Sequence, residues 1–110
     1  MNLDAFLGAW RSIDRSSGGI DLDVRRRGTR FVIQRYAPWG MPVGLPLQAV
    51  AQGAELVATD LGNDETGTIR LTLAADLRTL ELRLPDAQRP IHFRRLGKGE
   101  RLGQAQSPGR

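Results

Sequence analysis

The chain has 110 residues, 40% hydrophobic and 25% charged, with no cysteine and a net charge of +4. That length supports one ordinary core, and the composition fits a soluble globular domain. It excludes disulfide and thiolate chemistry, and no segment approaches the ~20 apolar residues of a membrane-spanning helix. With 13 glycines and 6 prolines, the pattern suits many short strands and turns, not a helical bundle.

The first residues, Asn2-Leu3-Asp4-Ala5-Phe6-Leu7, read as one helical turn capped by Asn2, with Phe6 and Leu7 facing inward and Gly8 ending it. Strands are predicted over 10–14, 20–26, 30–36, 46–51, 55–61, 68–74, 79–84 and 91–96. Ile20, Leu22 and Val24 alternate with Asp21, Asp23 and Arg25, and Leu80, Leu82 and Leu84 alternate with Glu81 and Arg83. Period two gives each strand one dry and one wet face.

All the connections are short, which favours antiparallel hairpins over parallel crossovers. A hairpin-linked series escapes exposed edges by closing. The expected fold is therefore all-β: an eight-stranded antiparallel up-and-down barrel over 1–96 with a short N-terminal helical turn. The polar segment 97–110 is expected to be a disordered tail. Alternate connections emerge at opposite ends, and those at 15–19, 37–45, 62–67 and 85–90 are longer than those at 27–29, 52–54 and 75–78. One end is tightly turned and the other loopy, and function tends to lie on longer loops.

The helical turn followed by Gly8-Ala9-Trp10 resembles the start of the lipocalin and calycin barrels. The resemblance implies that Trp10 lies at the closed end, with an arginine from the last strand packed over it. Phe93-Arg94-Arg95 stands in the matching place, and alternation turns Arg95 inward and Arg94 outward. The pair Trp10 and Arg95 is thus expected to be structural, joined by a cation–π contact. The chain is short for a classical lipocalin and lacks the helix after the barrel, so a compact lipocalin-like bacterial barrel or a small barrel-shaped inhibitor is the nearer comparison.

The most unusual stretch is Tyr36-Ala37-Pro38-Trp39-Gly40-Met41-Pro42-Val43-Gly44-Leu45-Pro46. Loops are ordinarily polar. An apolar one either folds over the barrel mouth or presents a binding surface. Tyr36, Trp39, Met41, Val43 and Leu45 are the candidate ligand- or partner-binding residues. No catalytic or metal site is expected. His92 is the lone histidine, on an outward position, and the serines Ser12, Ser16, Ser17 and Ser107 lack a nucleophile context. Asp60, Asp64, Glu65 and Asp14 are adequately explained by turn chemistry.

The arginine run Arg25-Arg26-Arg27, with Arg30 and Arg35, is balanced by Asp21, Asp23 and Glu81, and Tyr36 is the only strand aromatic expected outside, which argues against nucleic acid. No cofactor is called for, and binding is expected in place of catalysis. The leading expectation is a lipocalin-like protein holding a small apolar or amphipathic ligand at the mouth, with Trp39 and Met41 as a lid. The alternative is a scaffold that docks another protein through 37–45. Met1–Trp10 lacks the basic start and long apolar run of a signal peptide. With the absence of cysteine, this favours a cytoplasmic setting unless a leader has been removed.

Overall fold

The computed structural model describes residues 3–13, 20–58, 67–85 and 89–103. A 3-10 turn, Leu3–Phe6, leads into eight strands: β1 (Gly8–Ser12), β2 (Asp21–Arg27), β3 (Arg30–Tyr36), β4 (Pro42–Gln52), β5 (Glu55–Ala58), β6 (Ile69–Leu73), β7 (Thr79–Arg83) and β8 (Ile91–Arg95). Each pairs antiparallel with the next, and β8 returns to β1, closing the barrel. Among the described residues no helix is long and apolar enough to cross a membrane.

The tight end is written into the hairpin glycines. Arg27 pairs with Arg30 across Gly28-Thr29, and Gln52 with Glu55 across Gly53-Ala54. Gly28 and Gly53 sit at φ 65 and 60. Positive φ at the first of two loop residues is the requirement of a type II′ turn, whose twist matches the flanking strands. The β6–β7 turn is built differently. Asp76 Oδ1 accepts from the backbone N–H of Arg78 at 2.8 Å, and Leu77 is held at φ 60.

Period-two alternation places one apolar set inside: Phe6, Trp10, Leu22, Val24, Phe31, Ile33, Leu47, Leu56, Ile69, Leu71, Leu73, Leu80, Leu82 and Phe93. Ala49 and Ala58 complete it, while Leu7, Ile20, Leu84 and Ile91 pack at its margin. Phe6, Trp10, Leu56, Leu71 and Leu80 are 0% exposed, so no water-sized void touches them. Eight strands make a barrel narrow enough for side chains to fill.

Three differences from the sequence reading matter. β4 begins at Pro42, so the connection expected over 37–45 shrinks to 37–41, and Val43 and Leu45 belong to a strand. β3 and β4 pair as Ile33↔Leu47 and then Arg35↔Val43, a bulge in which 44–46 face Gln34 alone. Gly44 at φ 68 supplies the bend, and Pro46, which has no N–H to donate, falls where the ladder is interrupted.

The second difference is on the wall. Asp21 and Asp23, expected on a wet face, are buried, because residues 97–103 lie across Asp21 and Arg25 caps Asp23. The third follows from it. Residues 97–103, in the segment expected as a tail, lie against the barrel and are tied to it by side-chain hydrogen bonds. The remainder of that expected tail, 104–110, lies outside the described residues, as do most of the connections expected at 15–19, 62–67 and 85–90.

Candidate functional site

At the loop end, Ala37 and Met41 close the β3–β4 connection: the Ala37 N–H donates to Met41 O at 2.8 Å, and the Gly40 N–H donates to Ala37 O at 3.0 Å. Gly40, at φ 100, completes the tight turn. Ala37 and Pro38 tuck inward, which drives Trp39 out. Trp39 is 73% exposed, Met41 60% and Leu45 65%, with Val43 at the margin of exposure. The chain from Trp39 to Leu45 is therefore a run of apolar side chains standing in solvent. Gln34 braces the bulge behind this run, its Nε2 donating to Gly44 O at 3.4 Å.

Tyr36 takes a different place from the other candidates. It pairs with Asp21 across β2–β3 and lines a cleft on the outer wall with Asp23, Arg25, Val32 and Gln34, of about 210 Å3. Arg25 Nε donates to Asp23 Oδ2 at 2.7 Å on its floor.

The structure brings Trp10 and Arg95 together. They are register partners across β1–β8, and the guanidinium carbon stands 4.2 Å from the indole centroid. Arg95 donates to the carbonyls of Leu7, at 3.0 Å, and Ala5, and Trp10 Nε1 donates to Phe6 O at 3.0 Å. Gly8 explains the first residue of the Gly-x-Trp pattern: it sits at φ 123, and a Cβ there would lie 3.3 Å from Arg95 Nη1. This cluster seals the tight end.

Sequence reasoning missed the clamp that carries 97–103. Arg11 donates Nε to Asp21 Oδ1 at 3.0 Å, Nη2 to Asp21 Oδ2 at 3.2 Å and Nη1 to Glu100 Oε2 at 3.0 Å. Glu100 also receives both Nη atoms of Arg94 at 2.7 Å. The Gly103 N–H reaches Asp21 Oδ2 at 2.8 Å, and Gly103 packs so closely on Gly40 that a Cβ would overlap its Cα. The strap thus ends beside the turn that projects Trp39. Glu100 is held down at about 2, first by the Arg94 hydrogen bond and then by the Gly97 N–H. Arg94 is raised in turn by Glu100. The sequence offered one faint sign, a carboxylate amid a polar, glycine-rich segment, and nothing in periodicity gave it a partner.

His92 lies on the outer wall opposite Glu81, its Nε2 3.7 Å from Glu81 Oε2. Other outward arginines are paired with carboxylates, Arg70 with Glu55 at 3.1 Å and Arg83 with Glu81 at 2.8 Å. Among the described residues no group of three or more His, Cys, Asp or Glu side chains is placed to hold a metal ion. No family model, no curated protein and no solved structure matches the chain. The lipocalin resemblance therefore rests on architecture: an eight-stranded antiparallel barrel, closed as an up-and-down meander, with a single 3-10 turn before it.

Proposed function

We propose that this barrel is a non-catalytic binding module that docks a protein partner through the apolar run Trp39, Met41, Val43 and Leu45. The observation that carries this reading is the exposure of Trp39 and Met41, at 73% and 60%, on a scaffold whose central side chains leave no water-sized void. Exposed tryptophan and methionine are costly in water and are the residue types enriched at the centres of interfaces. The turn that carries them is held by two backbone hydrogen bonds and flanked by prolines, so little freedom is lost on docking. A core whose central side chains are fully buried and a tryptophan turned away from it favour this over a small apolar ligand held under a lid. His92, exposed and facing Glu81 on the wall, supports binding over catalysis.

The test is a captured partner followed by calorimetry with purified components. Trp39→Ala is expected to weaken the complex by at least ~2 kcal/mol, the scale of an interface hot spot, without lowering the stability of the barrel. Stoichiometric uptake of an apolar fluorescent probe that quenches Trp39, with partner affinity unchanged in Trp39→Ala, would overturn the reading in favour of ligand binding.

A further inference from the structure

The outer face of β2 carries two carboxylates with little access to water, Asp21 at 0% and Asp23 at 9% exposure, and they are satisfied unequally. Asp21 receives three hydrogen bonds, two from Arg11 and one from the Gly103 N–H. Among the described residues Asp23 receives one, from Arg25 Nε to Oδ2 at 2.7 Å. An ionised carboxylate has about four acceptor positions, and one largely withdrawn from water gains by filling them. Asp23 is also within reach of a ligand. Its side chain keeps 11% of its surface open and lines the outer-wall cleft of about 210 Å3.

The other half of the ion pair is open too. The Arg25 side chain is 77% exposed, and only its Nε is engaged, so both terminal nitrogens are without an acceptor among the described residues. The cleft thus offers an unfilled carboxylate and an unfilled guanidinium edge side by side. Val32 stands opposite Arg25 in the register and Gln34 opposite Asp23, and Tyr36 completes the lining. The Gln34 amide is tied to the carbonyls of Arg35 and Gly44, which fixes this wall in place. Charge and size then restrict what fits. A plain cation drawn to Asp23 meets Arg25, and a plain anion drawn to Arg25 meets Asp23. A zwitterion answers both without breaking the pair. The cleft is smaller than the roughly 300 Å3 at which drug-sized pockets begin, so the ligand is small.

We propose that this cleft binds a free α-amino acid with an apolar side chain. The α-ammonium donates to Asp23, the α-carboxylate accepts from the terminal nitrogens of Arg25, and the side chain rests on Val32 and the Tyr36 ring. The planar guanidinium edge matches a carboxylate in a bidentate fashion. The site uses none of Trp39, Met41, Val43 and Leu45 and does not depend on partner docking.

The experiment titrates L-leucine into the full chain and follows the Tyr36 ring and Arg25 Nε–H resonances by NMR. The expected result is a saturable shift of both. N-acetyl-leucine lacks the ammonium and leucinamide lacks the carboxylate. Each is expected to bind at least about tenfold more weakly, the cost of one lost charge-assisted hydrogen bond. Glycine, without a side chain to cover Val32, should also bind more weakly than leucine. Asp23→Asn and Arg25→Gln are expected to lose the leucine response. Arg25→Gln changes an exposed position, so it keeps the test decisive should Asp23→Asn fail to fold. Resonances unmoved by leucine at tens of millimolar would overturn the proposal. So would equal responses to leucine, N-acetyl-leucine and leucinamide, which would mean apolar adsorption alone, or a leucine response that survives in Arg25→Gln. Trp39→Ala is expected to keep the response, so loss of partner docking and loss of amino-acid binding are told apart.

Discussion

Arg95 and Trp10 form the seal of the barrel: the guanidinium lies 4.2 Å from the indole centroid and also binds the carbonyl of Leu7. Its Nε points at Leu77 O at 3.4 Å, so one side chain joins the first strand, the N-terminal turn and the β6–β7 turn. Arg95→Ala removes the packing and leaves those carbonyls without their donor. It is expected to destabilise by roughly 1–3 kcal/mol in urea unfolding. A change of less than about 0.5 kcal/mol, typical of open surface, would show that the seal is dispensable.

The Arg11–Asp21 pair is a second structural hinge of the fold. Asp21 is fully buried on the outer wall, and its carboxylate depends on Arg11 and the Gly103 N–H. Arg11→Ala leaves that carboxylate with one donor and is expected to cost about 3 kcal/mol. Replacing both partners, as Arg11→Met with Asp21→Leu, should cost markedly less, because no charge is then stranded. Equal losses in the single and double variants would contradict this account.

The strap should respond to acid in a defined window. Glu100 is lowered from 4.5 to about 2 by Arg94 and the Gly97 N–H. A depressed carboxylate stabilises the folded arrangement fully above its unfolded value, and that contribution is lost as pH falls through the folded one. The Gly97 and Gly103 amide shifts are therefore expected to hold steady down to pH 4.5 and to move together towards pH 2. Glu100→Gln should release them at neutral pH. A midpoint near the ordinary carboxylate value would mean that the Arg94–Glu100 bond does not form in solution.

Gly44 sits behind the apolar run and beside Arg35. At φ 68, any other residue is strained, and a Cβ would approach Arg35 Nη2 to 2.8 Å. Gly44→Ala is expected to cost about 1–2 kcal/mol from the left-handed backbone alone. In a double-mutant cycle with Arg35→Ala, the steric part should vanish and the backbone part remain. Strict additivity would place the guanidinium away from Gly44.

The sequence by itself determined the strand order, the antiparallel hairpins and nearly all of the interior. Those follow from local rules: period two in Leu80-Glu81-Leu82, glycine at the first position of tight turns, and connections too short for crossovers. It also singled out Trp10, Arg95 and the apolar run. Only the tertiary structure decided what those residues meet. Alternation places Asp21 on the wall, but whether the wall is wet depends on a strap more than 70 positions away, joined through Arg11 and Gly103. Hydrophobicity marks Trp39 as unusual but does not say where its side chain stands; the turn from Ala37 to Met41 leaves it in solvent. Arg35 reads as one of a basic run. That its Nε is buried without a partner emerges only when closure turns it inward and the bulge at Gly44 gives it room.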